Sequence, residues 1–266
     1  IMSSDWSSDV CSSDLEMATV REAAQRSGRT YMFARQQRFT PNKLEAHRRA
    51  TSGRLGRVYH AETNWLRTRM IPFRGGWGVN RDAGGGVLLD LGVHAIDDAW
   101  FVMGCPKPAE AFAGMHCAFT RLALEDLDMP YNADDATMGM VRFDDGQTLT
   151  FTVTFALNSA GPSGDIEELS GNGLIELRVF GEEGGVDVGR GLYVSGRGNH
   201  VKSRELKMTR KYKYPHQAMA AQVYEFGRAI LRKDEPLNTA EQAVQLMSML
   251  DALRESAGTG KSVSVA

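Results

Sequence analysis

The sequence predicts an α+β protein in which antiparallel strands fill the middle of the chain, while helices precede and follow them along the sequence. The clearest observation is a hairpin, because Asp144-Asp145-Gly146 is a strong turn signal between the segments 136–143 and 148–157. In the second segment threonines alternate with apolar residues at the period of two that a half-buried strand requires. A long apolar run at 84–101 and two amphipathic segments near the end of the chain supply the helices.

The first fifteen residues differ from the rest of the chain. Ser-Ser-Asp occurs three times in residues 1–15, and the tract has neither helical nor strand periodicity. Such a tract has no apolar face to bury. We therefore expect residues 1–15 to be disordered or non-native in origin, and to take no part in the fold.

The next elements alternate between helix and strand. Residues 16–27 have apolar side chains at helical spacing and end at a glycine, which predicts a helix. Residues 30–34 are short, apolar and β-prone, which predicts a strand. A second helix from 41 to about 52 and a second strand at 58–66 follow, separated by two glycines.

The run 84–101 begins with three glycines, contains no proline, and predicts a buried helix. Its polar residues Asp90, His94, Asp97 and Asp98 follow one stripe, because they stand at i, i+4, i+7 and i+8. Charged side chains are seldom buried without partners, so this stripe must face a polar neighbour, water or a ligand cleft. Two interpretations remain open: the groups only hydrogen-bond each other and nearby backbone, or Asp90 orients His94 for proton transfer.

The segment 67–82, between the strand at 58–66 and this helix, is rich in arginine and contains Trp77 between glycines. Arginines and an aromatic ring on a loop suit sugar or hydroxy-acid binding, through bidentate hydrogen bonds and stacking. Arg67, Trp77 and Arg81 are the candidate binding residues. An ordinary solvated basic loop is the alternative.

After the helix, two prolines interrupt the chain and the remaining segments alternate in the manner of antiparallel strands. The predicted strands are 110–119, 136–143, 148–157, 174–180, 186–188, 192–195 and 204–207. Two amphipathic helices then close the chain, with apolar faces over 219–230 and 243–253.

Composition excludes several classes of function. The chain has 266 residues with 31 basic and 33 acidic side chains, which leaves no basic footprint for nucleic acid and no polybasic membrane patch. No apolar run is long enough to span a bilayer and no signal peptide is evident, so a cytoplasmic location is the default expectation. Three cysteines are too few and too irregular for a disulfide framework. No metal site is expected, since Asp90, His94 and His116 lack a further ligand at suitable spacing.

The pattern Gly-Gly-Gly-x-x-x-Asp-x-Gly-x-His-x-x-Asp over residues 84–97, with Trp77 ahead of it, resembles the active-site helix of the Gfo/Idh/MocA oxidoreductases. This is the family of glucose-fructose oxidoreductase and inositol dehydrogenase. Arg38, Phe39 and Pro41 resemble an Arg-Phe-x-Pro motif of the same family. The resemblance implies that 39–266 is a substrate-binding and oligomerisation domain, with a large, mostly antiparallel sheet and helices on one face. It also implies that 16–38 is the last helix and strand of an incomplete Rossmann domain.

The resemblance further implies an NAD(P)-dependent oxidoreductase acting on a sugar, a cyclitol or a related polyol. Asp90 and His94 match catalytic positions; Arg67, Trp77, Arg81 and Asp90 would bind substrate, and Arg38 would contact NAD or NADP. The family's Gly-rich nucleotide loop and Glu-Lys-Pro motif would lie upstream of Glu16, and Gly84 to Gly86 lack Gly-x-Gly-x-x-Gly spacing. We therefore expect an N-terminally truncated chain that is inactive by itself. A non-catalytic sugar-binding or dimerisation module is the alternative.

The alternating threonines at 148–154 have two interpretations. They suit a solvent-facing sheet, and they also suit a hydrated interface between two sheets. The resemblance favours the second interpretation. We therefore expect a homo-oligomer formed through the free face of the sheet.

Overall fold

The computed structural model describes residues 14–69, 71, 74–119, 131–209 and 217–265. Within these residues the helices are α1 (Asp14–Ser27), α2 (Pro41–Thr51), α3 (Val93–Met103), α4 (Gln217–Arg232) and α5 (Ala240–Thr259). A π-helical turn, Leu88–Gly92, leads into α3, and short 3-10 helices occur at Gln36–Phe39, Arg74–Val79, Arg81–Ala83 and Glu167–Leu169. The strands are β1 (Val58–Leu66), β2 (Pro108–His116), β3 (Ala136–Phe143), β4 (Thr148–Thr154), β5 (Leu174–Gly181), β6 (Gly184–Asp187), β7 (Leu192–Arg197), β8 (His200–Glu205) and β9 (Val263–Ser264).

The described strands form one sheet in the order β8-β7-β6-β5-β1-β4-β3-β2-β9. Every neighbouring pair in it is antiparallel except β1 with β4. The predicted hairpin is present, because β3 and β4 pair through the turn at Asp144-Asp145-Gly146. Gly146 has φ +85°, a conformation that favours glycine. The prediction of a large, mostly antiparallel sheet is confirmed.

The two faces of the sheet differ in burial. Alternate residues of β4 such as Leu149 and Val153 are fully buried, and they share one apolar core with Ile96 and Trp100 of α3 and Leu250 of α5. The threonines at 148, 150 and 152 lie on the opposite face and are partly exposed. The sheet therefore packs α3 and α5 against one face, as the sequence predicts.

The predicted strand at 30–34 is wrong. In the described residues this segment pairs with no strand of the sheet, although its apolar composition resembles that of one. A strand is stabilised by its neighbour's hydrogen bonds, and here the carbonyl of Phe33 instead accepts from the Asn238 side-chain amide at 3.1 Å. Phe33 is buried in the common core. The structure thus gives no support for the strand of a Rossmann remnant.

The N-terminal helix packs on the last helix. Met17 of α1 is 5% exposed, and Arg21 forms an ion pair with Glu241 of α5 at 2.9 Å. Because α1 begins at Asp14, the last two residues of the expected non-native tract belong to it. The rest of that expectation, residues 1–13, lies outside the described residues. The domain division at 38 and 39 stays a prediction.

Candidate active site

The helix that carries Asp90 and His94 starts as a π turn. The Val93 N–H donates to the carbonyl of Leu88, five residues back, instead of four. The turn is held by Asp134, which stands just before β3: its carboxylate accepts from the Leu88 N–H at 2.9 Å and from the Thr137 hydroxyl at 2.6 Å. The start of the helix is therefore fixed by a residue far along the chain.

The triglycine before this turn is packed against protein. Gly86 has φ +114°, and a Cβ placed on it would lie 2.0 Å from Oδ1 of Asp134. A Cβ on Gly85 would lie 2.1 Å from the carbonyl oxygen of Trp77. The glycines allow these close approaches, so the space beside them is already filled. Gly85 and Gly86 therefore leave no room beside them for a dinucleotide pyrophosphate.

Asp97 forms a buried bidentate ion pair with Arg38. Nε of Arg38 donates to Oδ2 at 2.9 Å and Nη2 donates to Oδ1 at 2.5 Å. Nη1 of Arg38 donates to Gln242 at 2.7 Å, and the guanidinium lies over the ring of Phe101 at 5.0 Å. Arg38 is 0% exposed, so its donors and faces are used within the fold. This position does not support cofactor contact by Arg38, which stays a prediction.

Asp98 pairs with a second cation. Nζ of Lys43 donates to Oδ2 of Asp98 at 2.6 Å and to the side-chain oxygen of Gln37 at 2.8 Å. Oδ1 of Asp98 is enclosed and has no hydrogen-bond partner. Burial raises the pKa of Asp98, and the nearby Lys43 opposes that rise. Two of the four polar residues of the predicted stripe are thus joined to cations from other segments, as a buried charge requires.

His94 is kept neutral by its surroundings. Burial, followed by the positive charge of Arg35, lowers the pKa of His94 to about 3. Its Nδ1 is enclosed and has no hydrogen-bond partner, and its ring lies 6.2 Å from that of Trp65 at an angle of 52°. Asp90 is 7% exposed and does not bond this atom. The interpretation in which Asp90 orients His94 therefore gains no support at Nδ1.

The predicted binding residues fall into two groups. Arg67 contacts Trp65, the aromatic residue next to His94, with its guanidinium 5.7 Å from the ring. Its Nε donates to the carbonyl of Asn172 at 3.4 Å. Arg81 is exposed and lines a cavity of about 480 Å³ together with Leu88, Asp134 and Arg254. The described lining of that cavity includes neither Asp90 nor His94. The structure therefore joins Arg67 to Trp65, which lies beside His94, and places Arg81 near Leu88 at the start of the π turn.

Trp77 lies in the 3-10 helix Arg74–Val79, directly before the triglycine. Its carbonyl accepts from the Asn80 N–H at 3.1 Å and its side chain is partly buried. The predicted role of Trp77 in stacking on a substrate ring stays a prediction.

In the part of the chain that the structure describes, no three His, Cys, Asp or Glu side chains come together as a metal site. No helix found there is long and apolar enough to cross a membrane.

Residues 44–187, which include β1, the π turn, α3 and the sheet as far as β6, match the family model of the GFO/IDH/MocA C-terminal domain. The chain belongs to the Gfo/Idh/MocA family. The match covers Asp90 and His94, the two positions for which the sequence motif was most specific.

Members of the Gfo/Idh/MocA family resemble this chain along nearly its whole length. D-glucoside 3-dehydrogenase of Escherichia coli (strain K12) is 26% identical over 255 residues, which are 92% of this chain and 67% of that enzyme. The aldose-aldose oxidoreductase of Caulobacter crescentus in complex with glycerol has a similar fold, with a TM-score of 0.73 and 19% identity over 96% of this chain and 69% of that one. Levoglucosan dehydrogenase in complex with NADH and levoglucosan also has a similar fold, with a TM-score of 0.76 and 19% identity. That comparison covers 96% of this chain and 71% of the other. The chain thus spans about two thirds of the length of these relatives.

Four residues of the site were missed from the sequence: Arg35, Lys43, Trp65 and Asp134. Trp65 could have been found, because alternate residues of a strand share one face and Trp65 is on the same buried face of β1 as Ala61 and Thr63. The other three could not, since they reach the helix from distant segments.

Proposed function

We propose that this chain is the substrate-binding part of an NAD(P)-dependent oxidoreductase that acts on a hydroxyl of a sugar, a cyclitol or a related polyol. The observation that carries the proposal is His94, a neutral imidazole with an unpartnered Nδ1 at the motif position of a Gfo/Idh/MocA active-site helix. The sugar oxidoreductases among its relatives support the substrate class.

Oxidation of a hydroxyl requires removal of its proton as hydride leaves the carbon. In a complete enzyme of this kind, the nicotinamide cofactor would accept the hydride. The neutral imidazole of His94 accepts a hydrogen bond from the substrate hydroxyl and takes up its proton as hydride leaves. Arg67 lies over the ring of Trp65, which stands beside His94, and its guanidinium supplies hydrogen-bond donors for a sugar near His94. We propose that Asp90 binds a further substrate oxygen.

A fusion enzyme would test the proposal. Residues 16–266 are joined to the nucleotide-binding domain of the Escherichia coli glucoside dehydrogenase, and reduction of NAD⁺ and NADP⁺ is followed with a panel of glucosides and polyols. We expect turnover that His94→Ala lowers by about 10² to 10⁴, while the melting temperature changes little. His200→Ala, at an exposed position in β8, is the matched control.

Sugar binding without turnover, and without an effect of His94→Ala, would favour the alternative of a non-catalytic binding module. Early melting of His94→Ala with normal turnover per folded molecule would return His94 to a purely structural role.

We also propose that the chain forms a homo-oligomer through the face of the sheet that α3 and α5 leave uncovered. Phe112 of β2 is 47% exposed and stands opposite Met140 of β3, which is 41% exposed. Met138 is 38% exposed in the same strand, and the partly exposed threonines of β4 continue this face. Apolar side chains interleaved with threonines on a flat sheet suit contact with a second copy of the same face.

A further inference from the structure

Arg35 is a buried cation, and two of its three guanidinium nitrogens have no hydrogen-bond partner. It is 4% exposed, and Nε and Nη1 are both enclosed without a hydrogen-bond partner. Its guanidinium lies 5.8 Å from the centroid of the Phe33 ring, which supplies only a cation–π contact. Burial lowers the pKa of Arg35, yet a guanidinium stays charged in proteins. A buried charge in this state requires a partner.

The two carboxylates near Arg35 each have another cation as partner. Asp97 binds Arg38 through two hydrogen bonds, and Asp98 binds Lys43. With His94 neutral, the described cluster therefore holds three cations and two carboxylates. One positive charge is left over, and it belongs to the residue with unpartnered donors.

Arg35 and His94 belong to one site. The guanidinium groups of Arg35 and Arg38 lie 5.8 and 5.1 Å from the centroid of the same Phe33 ring. Arg38 in turn donates to Asp97, which follows His94 by three residues on α3. After burial, the charge of Arg35 is the next cause that lowers the pKa of His94. The ligand proposed for this site would span His94 and the guanidinium of Arg35.

We propose that Arg35 binds a carboxylate of the substrate, so that the chain acts on a sugar acid rather than on a neutral sugar. A guanidinium presents its donors in a planar fork that matches a carboxylate, and the added negative charge balances the cluster. This inference rests on the proposed function, because it names the substrate class of the same site. Pairing of Arg35 with the unpartnered Oδ1 of Asp98 is the competing explanation.

Binding of matched sugars to the full chain tests the proposal by calorimetry. D-glucuronate is compared with D-glucose, and D-galacturonate with D-galactose, while inorganic phosphate serves as a simple anion. We expect at least one acid to bind about tenfold or more tightly than its neutral partner. Arg35→Gln should remove that preference, so that each acid binds no more tightly than its neutral partner. Arg35→Lys, which keeps the charge but loses the fork, should give an intermediate affinity.

Arg57→Gln is the control, because Arg57 forms an exposed ion pair with Glu182. Circular dichroism verifies that each variant is folded, and if Arg35→Gln is not, Arg35→Lys alone decides. Equal binding of acids and neutral sugars would overturn the inference while leaving the proposed function intact. Phosphate binding as tight as that of the acids would also overturn it, because the site would then take any anion. Binding of none of these sugars would count against both proposals.

Discussion

Arg38 and Asp97 form a two-point ion pair inside the core, with side chains that are 0% and 1% exposed. The pair joins the 3-10 helix Gln36–Phe39 to α3, and Gln242 brings α5 to the same guanidinium. Because the pair is enclosed, loss of one partner leaves the other charged and desolvated. The pair therefore holds three segments together around the candidate active site.

Arg38→Met should lower the free energy of unfolding by about 3–5 kcal/mol, since it leaves Asp97 buried without its cation. Chemical denaturation measures this loss. Lys107→Gln, which breaks an exposed ion pair with Asp144, should cost about 1 kcal/mol or less. An equal decrease in the free energy of unfolding in the two variants would show that the buried pair stabilises the fold no more than an exposed one.

Stability should fall as the pH drops from about 6.5 towards 3 because of His94. Its pKa in the folded chain is about 3, below the unfolded value of 6.5, so between these values the unfolded state binds a proton that the folded state does not. The contribution of His94 to stability is therefore complete above pH 6.5, and is lost at up to about 1.4 kcal/mol per pH unit below it. His94→Asn should flatten the pH profile of the melting temperature over this range. An unchanged slope in His94→Asn, matching that of His200→Asn, would contradict the assignment.

Gly86→Ala should strongly destabilise the chain. The backbone at φ +114° and the 2.0 Å approach to Asp134 both oppose a side chain there, and Asp134 holds the start of the π turn. Gly258→Ala is the matched control, because Gly258 lies in α5 with nothing within 4 Å of the added Cβ. In a helix that change should be neutral or raise stability by about 0.5–1 kcal/mol. Thermal melts of the two variants should move in opposite directions, and a similar small shift in both would refute the packing described for Gly86.

Met140→Lys should weaken self-association, because it places a charge in the middle of the proposed interface beside Phe112. Light scattering coupled to gel filtration gives the mass at a series of concentrations. Val201→Lys changes another exposed apolar residue, on β8 near the opposite end of the sheet, and should have no effect. A monomeric wild-type chain would rule out the oligomer.

Local patterns predicted the sheet well. Both bounds of β1 and β3 agree with the periodicity of the sequence, and the turn at Asp144-Asp145-Gly146 set the register between β3 and β4. These elements could be predicted because a period of two and a turn signal are properties of neighbouring residues. The segment 30–34 has the same local properties and forms no strand, since pairing depends on a partner that the segment itself does not specify.

The site was predictable only in part for the same reason. The polar stripe on the helix correctly indicated charged neighbours for Asp97 and Asp98, but not which cations would supply them. Spacing also assumes a regular α-helix, whereas the first turn is a π turn held by Asp134. Such partners come from segments tens of residues away, and a single sequence holds no signal that links them.

The central position of β1 affects the order in which the chain can fold during synthesis. β1 is made before both of its neighbours: His60 meets Thr148, 88 residues later, and Asn64 meets Glu176, 112 residues later. Until β4 has left the ribosome, both edges of β1 are unpaired, and one edge stays unpaired until β5 follows. An apolar strand with unpaired edges is the form of chain that aggregates and that chaperones bind. Because these contacts are non-local, closing them is also slow. We therefore expect the yield of folded protein from a cell to depend strongly on translation rate and chaperone supply.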